Sequence, residues 1–315
     1  MSENSLKLIS AKEIQSKEIP PINWIIKDLL PEGLALLAGR PKAGKSWLST
    51  QLALATSLGC GVMDNFSTQK SKVLYISLED NLRRLKDRIN LLLDNDKAPE
   101  DLLFLDREEF ERFYLDGIKI IKQAIIEYED LNLIIVDTLG NAVSKDSRKF
   151  GLSFQDEYEF MSELQTLALE NQMCILVIHH TRKTEAESVF DEIVGTSGIT
   201  AAPDTLLILK KHPSGHMLHI TGRDVKEENY LLTQDESSHR WIVMDKNVIA
   251  ASTIERQDIL NIFEGDTELE IRVSEIAAKL NKSREAISQL IRKMLTANEI
   301  IKGSKTGYYK LPAVN

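Results

Sequence analysis

The sequence predicts an α/β fold, a mainly parallel central sheet between layers of helix, followed by a small C-terminal domain of helices and one β-hairpin. Three observations predict it. Short aliphatic runs closed by polar residues alternate with longer segments of helical periodicity, as expected of strands buried on both faces. One of these runs, Leu34 to Ala38, enters a glycine-containing loop that opens a helix. Near residue 250 the character changes to short amphipathic helices, which divides the chain into 1–250 and 251–315.

The loop carries the sharpest signal. Gly39-Arg40-Pro41-Lys42-Ala43-Gly44-Lys45-Ser46 fits G-x-x-x-x-G-K-[ST] at every fixed position. A strand delivers the chain to a tight loop whose backbone N–H groups face a polyphosphate, and Gly39 and Gly44 permit the unusual dihedrals and the close approach. In this pattern the lysine, Lys45, reaches the β- and γ-phosphates, and the Ser46 hydroxyl ligates Mg²⁺. The helix that follows begins at Trp47 with further apolar positions at Leu48, Leu52, Leu54 and Ala55, and it points its positive end at the same phosphates. ATP with Mg²⁺ is the expected ligand, held by residues 39–47 with Asp137.

The other elements follow in order. Pro20-Pro21 and Pro31-Glu32-Gly33 make turns around Trp24-Ile25-Ile26. Val73 to Leu78 reads as a second strand, ending in Glu79-Asp80. A helix then places Leu82, Leu85, Ile89 and Leu92 on one face and Arg83, Arg84, Lys86 and Arg88 on the other. Leu102 to Leu105 is a short strand, Gly117 to Tyr128 a helix, and Leu133 to Val136 an aliphatic strand closed by Asp137. A helix from about Gln155 to Glu170 precedes the strand Cys174 to Ile178, which runs into His179-His180. Thr205 to Lys210, His216 to Thr221 and Trp241 to Met244 alternate like antiparallel edge strands. In the C-terminal domain Ile254 to Phe263 and Val273 to Leu280 are helices, and Ser283 caps a third with Ile287, Leu290, Ile291 and Leu295 as its core stripe. A basic hairpin around Lys302 to Gly307 follows, completing the outline of a winged helix.

Composition narrows the function. With 315 residues, 43% hydrophobic and 28% charged, the chain is an ordinary globular one, and no apolar run approaches a membrane span. The polar N-terminus is unlike a secretory signal, and Cys60 and Cys174 lack metal-ligand spacing, so a cytoplasmic protein is expected. The net charge is −9, yet residues 281–310 carry a local +5. Any nucleic-acid contact is therefore a local patch or a channel. Its candidates are Arg284, Arg292 and Lys293 on the third C-terminal helix and Lys302 and Lys305 on the hairpin.

Several polar residues fall where parallel strands end. Asp137 is placed to hold Mg²⁺ at the carboxyl edge of the sheet. The residue after it is Thr138, where many ATPases have a catalytic Glu, so the carboxylate that orients the attacking water has to come from elsewhere. Glu79 is the best candidate, with Asp80 as its substitute. Of the doublet His179-His180 only one side chain can face the site, and His180 is preferred as the phosphate sensor. Arg182 and Lys183 open a loop through Gly195-Thr196-Ser197-Gly198 that can order against a nucleotide or a nucleic-acid backbone. Arg223, following an edge strand, suits either an arginine finger into a neighbouring subunit or an ion pair with Asp224.

Taken together, GRPKAGKS, YISLED, LIIVD followed by Thr138, and VIHHTRK resemble the RecA/DnaB-like ATPases, and more narrowly the RepA-type replicative helicases of mobile elements, over about residues 20–235. The resemblance implies a hexameric ring with ATP between subunits, Glu79 as catalytic carboxylate, a His at 179–180 as γ-phosphate sensor, and Arg223 or Lys226 acting in trans. It also implies single-stranded DNA in a central channel, touched by loops after Asp137 and around 182–198. The expected function is an ATP-driven DNA motor, a hexameric replicative helicase of a plasmid, phage or integrated element. An ATP-gated DNA-binding regulator without unwinding activity is the alternative.

Overall fold

A computed structural model describes residues 8–112, 116–142, 154–181, 197–212, 215–244, 258–263, 269–296, 300–305 and 307–311. The chain forms two units, Met1–Val243 and Met244–Asn315. The sequence places this border at 250/251, and residues 245–250 lie outside the described residues.

The first unit is built on a nine-stranded sheet. After a short helix α1 (Ala11–Ser16) and a two-stranded ribbon, β1 (Trp24–Ile26) and β2 (Leu30–Pro31), the elements are β3 (Gly33–Gly39), α2 (Lys45–Leu58), β4 (Lys72–Ser77), α3 (Leu82–Leu92) and β5 (Leu102–Leu105). Then come α4 (Arg107–Arg112), α5 (Gly117–Glu127), β6 (Leu131–Asp137), α6 (Leu139–Ala142), α7 (Phe154–Glu170), β7 (Cys174–His180) and α8 (Ser197–Ala201). The strands β8 (Thr205–His212), β9 (Gly215–Gly222), β10 (Glu228–Gln234) and β11 (Trp241–Val243) close the unit.

The sheet order is β11-β10-β9-β8-β3-β7-β6-β4-β5. From β8 to β5 every neighbouring pair is parallel, and β9, β10 and β11 extend the sheet antiparallel. Alternate residues of the buried strands feed opposite cores. Leu34, Leu36, Ile134, Val136, Ile175 and Val177 pack with α5 and α7 on one face. Ala35, Leu37, Leu133, Ile135, Leu176 and Ile178 pack with α2 on the other. Both faces are covered, which is why these strands read as continuous aliphatic runs.

Three expectations are corrected here. Glu228–Gln234 is a strand, lying between β9 and β11, so His216 to Thr221 is flanked on both sides and is not an edge. Thr205 to Lys210, likewise expected at an antiparallel edge, lies inside the sheet, parallel to β3 on one side and antiparallel to β9 on the other. On α3 the predicted faces are partly exchanged: Leu82 is 61% exposed, whereas Arg88 is buried beside Leu85 and Leu92. Arg88 tolerates burial because Asp80 neutralises it at 2.6 Å and its guanidinium lies 5.2 Å from the centre of the Trp47 ring.

The second unit contains a helical turn at 258–261, β12 (Ile271–Arg272), α9 (Val273–Lys279), α10 (Arg284–Thr296), β13 (Ile301–Lys302) and β14 (Tyr308–Lys310). Its strands form a separate antiparallel sheet in the order β12-β14-β13. Ile259, Phe263, Ile276, Ile287, Ile291, Met294 and Ile300 form its core. Ser283 Oγ accepts a hydrogen bond from the Ala286 N–H at 3.2 Å, the cap expected at the start of α10. Among the described residues no helix is long and apolar enough to cross a membrane.

Candidate nucleotide site

Strand register assembles the site. In the sheet β3 lies between β7 and β8, while the next strand in the chain, β4, lies beyond β7 and β6. The ends of β3, β7, β6 and β4 therefore meet at one edge, with Gly39 aligned to His180 and Ser77 to Asp137. Crevices at the carboxyl edge of such sheets are where ligands bind.

The phosphate loop turns directly into α2, 14 residues long, whose first residue is Lys45. Gly44 has φ +90°, and a Cβ there would stand 2.4 Å from Trp241 Cζ2, so both its dihedral and its space exclude other residues. Lys45 is only 3% exposed. Its ammonium donates to Gly39 O at 2.7 Å and to Arg40 O at 3.1 Å, and contacts His180 Nδ1 at 3.0 Å. Three N–H bonds thus meet three acceptors. Burial pulls the Lys45 pKa down to about 8, against the opposing pull of the Asp137 and Glu79 carboxylates.

His180 joins the loop to the Glu79 carboxylate. With Nδ1 accepting from Lys45, the ring proton sits on Nε2, which lies 3.2 Å from both Glu79 oxygens. Thr138 Oγ1 donates to Glu79 Oε1 at 2.9 Å. The hydrogen bond from His180, assisted by Thr138, holds the Glu79 carboxyl below the usual carboxylate range. Thr138, which stands where many ATPases have a catalytic Glu, thus helps fix Glu79. Asp80 is turned to Arg88 instead.

Asp137 is 2% exposed. Its Oδ2 accepts from the Tyr75 hydroxyl at 2.8 Å, and Tyr75 is in turn 2.8 Å from Ser49 Oγ. Its Oδ1 is buried without a hydrogen bond. Burial raises the Asp137 pKa, opposed by the Tyr75 and Ser46 hydroxyls. An orphaned carboxylate oxygen beside a serine hydroxyl fits a hard divalent cation, and Mg²⁺ commonly takes one or two protein oxygens and completes its shell with phosphate and water. Among the described residues no cluster of three His, Cys, Asp or Glu could hold a metal unaided.

Lys42, Ala43, Gly44, Lys45, Ser46, Trp47, Glu79 and His180 line one cleft of about 560 Å³. The same cleft is lined by Arg88, Lys211, His216, Gln234, His239 and Trp241, none of which the sequence singles out. Arg88 comes from α3, Lys211 from the end of β8 and the others from the antiparallel extension, and no motif marks them. Arg223 lies elsewhere: its guanidinium donates to Asp204 Oδ1 at 2.7 Å, not to Asp224. Asp204 is buried and also accepts from the Leu34 N–H and the Gln165 amide. Lys226 pairs with Glu228 at 3.0 Å.

Of the basic residues considered for DNA, Arg284 and Arg292 on α10 and Lys302 and Lys305 near the hairpin are exposed. Lys293 is on α10 with its side chain outside the described residues, and Arg182 and Lys183 lie outside them altogether.

A family model described as "AAA domain" (AAA_25) matches residues 2–186. No curated protein matches the chain. The matched span contains the phosphate loop, Glu79, Asp137 and His180, so geometry and likeness fall on the same residues. By its lysine-centred loop, its parallel sheet and a match over more than half its length, the chain belongs to the AAA domain family of P-loop ATPases.

Proposed function

We propose that this protein is an ATP-driven motor on DNA, a hexameric replicative helicase of a mobile element whose second unit is a winged helix. The observation that carries the hydrolytic part of this reading is the chain of contacts Lys45–His180–Glu79–Thr138. It links the phosphate-gripping lysine to a carboxylate that is ionised and can take a proton from water. Lys45 exchanges its carbonyl partners for phosphate oxygens when nucleotide arrives. His180 then loses its donor at Nδ1 and reports the change to Glu79. Ser46 and Asp137 would hold Mg²⁺, which supplies charge neutralisation at the phosphates.

The DNA part rests on the likeness of the motif set to RecA/DnaB-like helicases and on the basic residues of the second unit. Arg223 or Lys226 would complete the neighbouring subunit's site, and strand contacts would come from loops after Asp137 and around residues 182–198, of which 143–153 and 182–196 lie outside the described residues. The test is ATP hydrolysis and strand displacement on a forked duplex. DNA should stimulate hydrolysis, Lys45→Ala should abolish both activities, and Glu79→Gln should bind ATP while losing about 10²–10⁴-fold in turnover. Hydrolysis without displacement, together with sequence-specific duplex binding, would instead favour an ATP-gated regulator.

A further inference from the structure

Behind the Asp137 carboxylate lies a short relay of hydroxyls that no motif marks. Tyr75 sits within β4 with its Cα opposite Ile135 on β6, and Asp137 stands two residues further along the same face. The tyrosine side chain spans that offset, and its hydroxyl donates to Asp137 Oδ2 at 2.8 Å. Its ring is fully buried in the core on the α2 side of the sheet and packs on Phe104 with centroids 5.4 Å apart.

Counting protons fixes the direction of the relay. The Tyr75 hydroxyl has one hydrogen, and the carboxylate takes it. Ser49 Oγ, 2.8 Å from the Tyr75 oxygen, is therefore the donor in that pair. The other acceptor within its reach, Ser46 O, is longer at 3.3 Å and already receives the Thr50 hydroxyl at 2.7 Å. Ser49 follows Ser46 by three residues on α2, so the relay starts on the helix that carries the phosphate-loop serine and ends on the acid of β6. With Oδ2 engaged, Oδ1 is the oxygen left buried without a hydrogen bond.

We propose that Tyr75 is a positioning residue for the divalent cation of the nucleotide site: by holding Oδ2 of Asp137, with Ser49 behind it, it keeps Oδ1 free as the ligand oxygen. This rests on the reading of Ser46 and Asp137 as the residues that hold Mg²⁺. Hydrogen-bond partners of metal ligands fix the ligand's orientation, and losing one costs about 10–100-fold in metal affinity. Phenylalanine keeps the ring and its packing, so Tyr75→Phe removes the hydrogen bond alone.

The test uses the full chain, Tyr75→Phe, Ser49→Ala and the double variant. ADP affinity is measured in EDTA, and Mn²⁺ affinity of each ADP complex by electron paramagnetic resonance. Tyr75→Phe should bind ADP in EDTA as the unmodified protein does, while Mn²⁺ affinity falls about tenfold or more. Ser49→Ala should show a smaller loss of the same kind. The double variant should match Tyr75→Phe, because without the phenol Ser49 has no route to Asp137. Unchanged Mn²⁺ affinity in Tyr75→Phe, or ADP binding in EDTA weakened as much as Mn²⁺ binding, would overturn the positioning role. Additive losses in the double variant, or a Ser49→Ala protein indistinguishable from the unmodified one, would remove Ser49 from the relay. If the ADP complex of the unmodified protein takes up no Mn²⁺, the cation reading of Ser46 and Asp137 fails instead, a result distinct from all of these.

Discussion

Lys45 titrates at about 8 in the free protein, and this makes nucleotide binding pH-dependent. Its pKa lies at about 8, below the ordinary 10.5, because burial disfavours the ammonium. For stability the sign follows directly. The unfolded chain binds this proton more tightly, so the penalty of burying the charge is fully present below pH 8 and is relieved as pH rises from 8 towards 10.5. For binding the sign reverses. Phosphate oxygens favour the ammonium, so ATP affinity should fall as pH rises above 8, with proton uptake on binding. Calorimetric titration at about pH 8–9 in buffers of different ionisation enthalpy would measure that uptake, and no uptake would refute the argument.

Thr138 offers a second prediction. Its hydroxyl touches Glu79 and no site for the reacting atoms need include it, so it is a positioning residue. Thr138→Ala should lower kcat about tenfold with KM unchanged, since hydrogen bonds to charged groups are worth about 1.5–3 kcal/mol. Thr138→Ser should restore the rate. Loss of kcat and KM together, without rescue by Ser, would indicate mere structural damage.

The Gln51 side chain ties helix α2 to the distant edge of the sheet. The Gln51 amide donates to Trp241 O at 2.9 Å and accepts from the Trp241 N–H at 2.7 Å, so it pairs with a strand backbone as another strand would. Trp241 is 1% exposed and reaches Gly44, which ties β11 to the phosphate loop. Gln51→Ala should leave two buried backbone groups unpaired and destabilise the first unit by about 2–4 kcal/mol, readable in chemical unfolding. It should also weaken ATP binding, because the wall carrying His239 moves with β11. An unfolding midpoint equal to that of the unmodified chain would show that this tie is dispensable.

Assembly is where Arg223 has to be judged. Its side chain is 63% exposed although its head group is tied to buried Asp204. If it completes a neighbour's site, Lys45→Ala and Arg223→Ala proteins should each be inactive alone, and a mixture should regain ATPase activity at interfaces that combine one intact loop with one intact Arg. A mixture as inactive as its parts would exclude the trans role. Mass measurement with and without ATP would give the number of subunits. For the second unit, affinity for duplex DNA should fall steeply with salt. Arg284→Ala with Lys302→Ala should flatten that dependence by about one unit for each phosphate left without its cation.

The phosphate loop, the strand-end acids and the parallel core were legible in the chain because each rests on local order. Gly and Lys spacing specifies a loop, and aliphatic runs specify strands covered on both faces. Asp137, Glu79 and His180 could be named since each closes such a run. Helix faces were less legible: Arg88 looked solvated until Asp80 and Trp47 came to meet it. The contacts of Glu79 with His180 and Thr138, and the wall made by His239, Gln234 and Trp241, had no sequence signal. They join residues 59 to about 190 positions apart through strand order and register, which no short window of sequence contains. Local order thus determined which residues form the loop and close the strands, and the order of strands in the sheet determined which side chains stand around it.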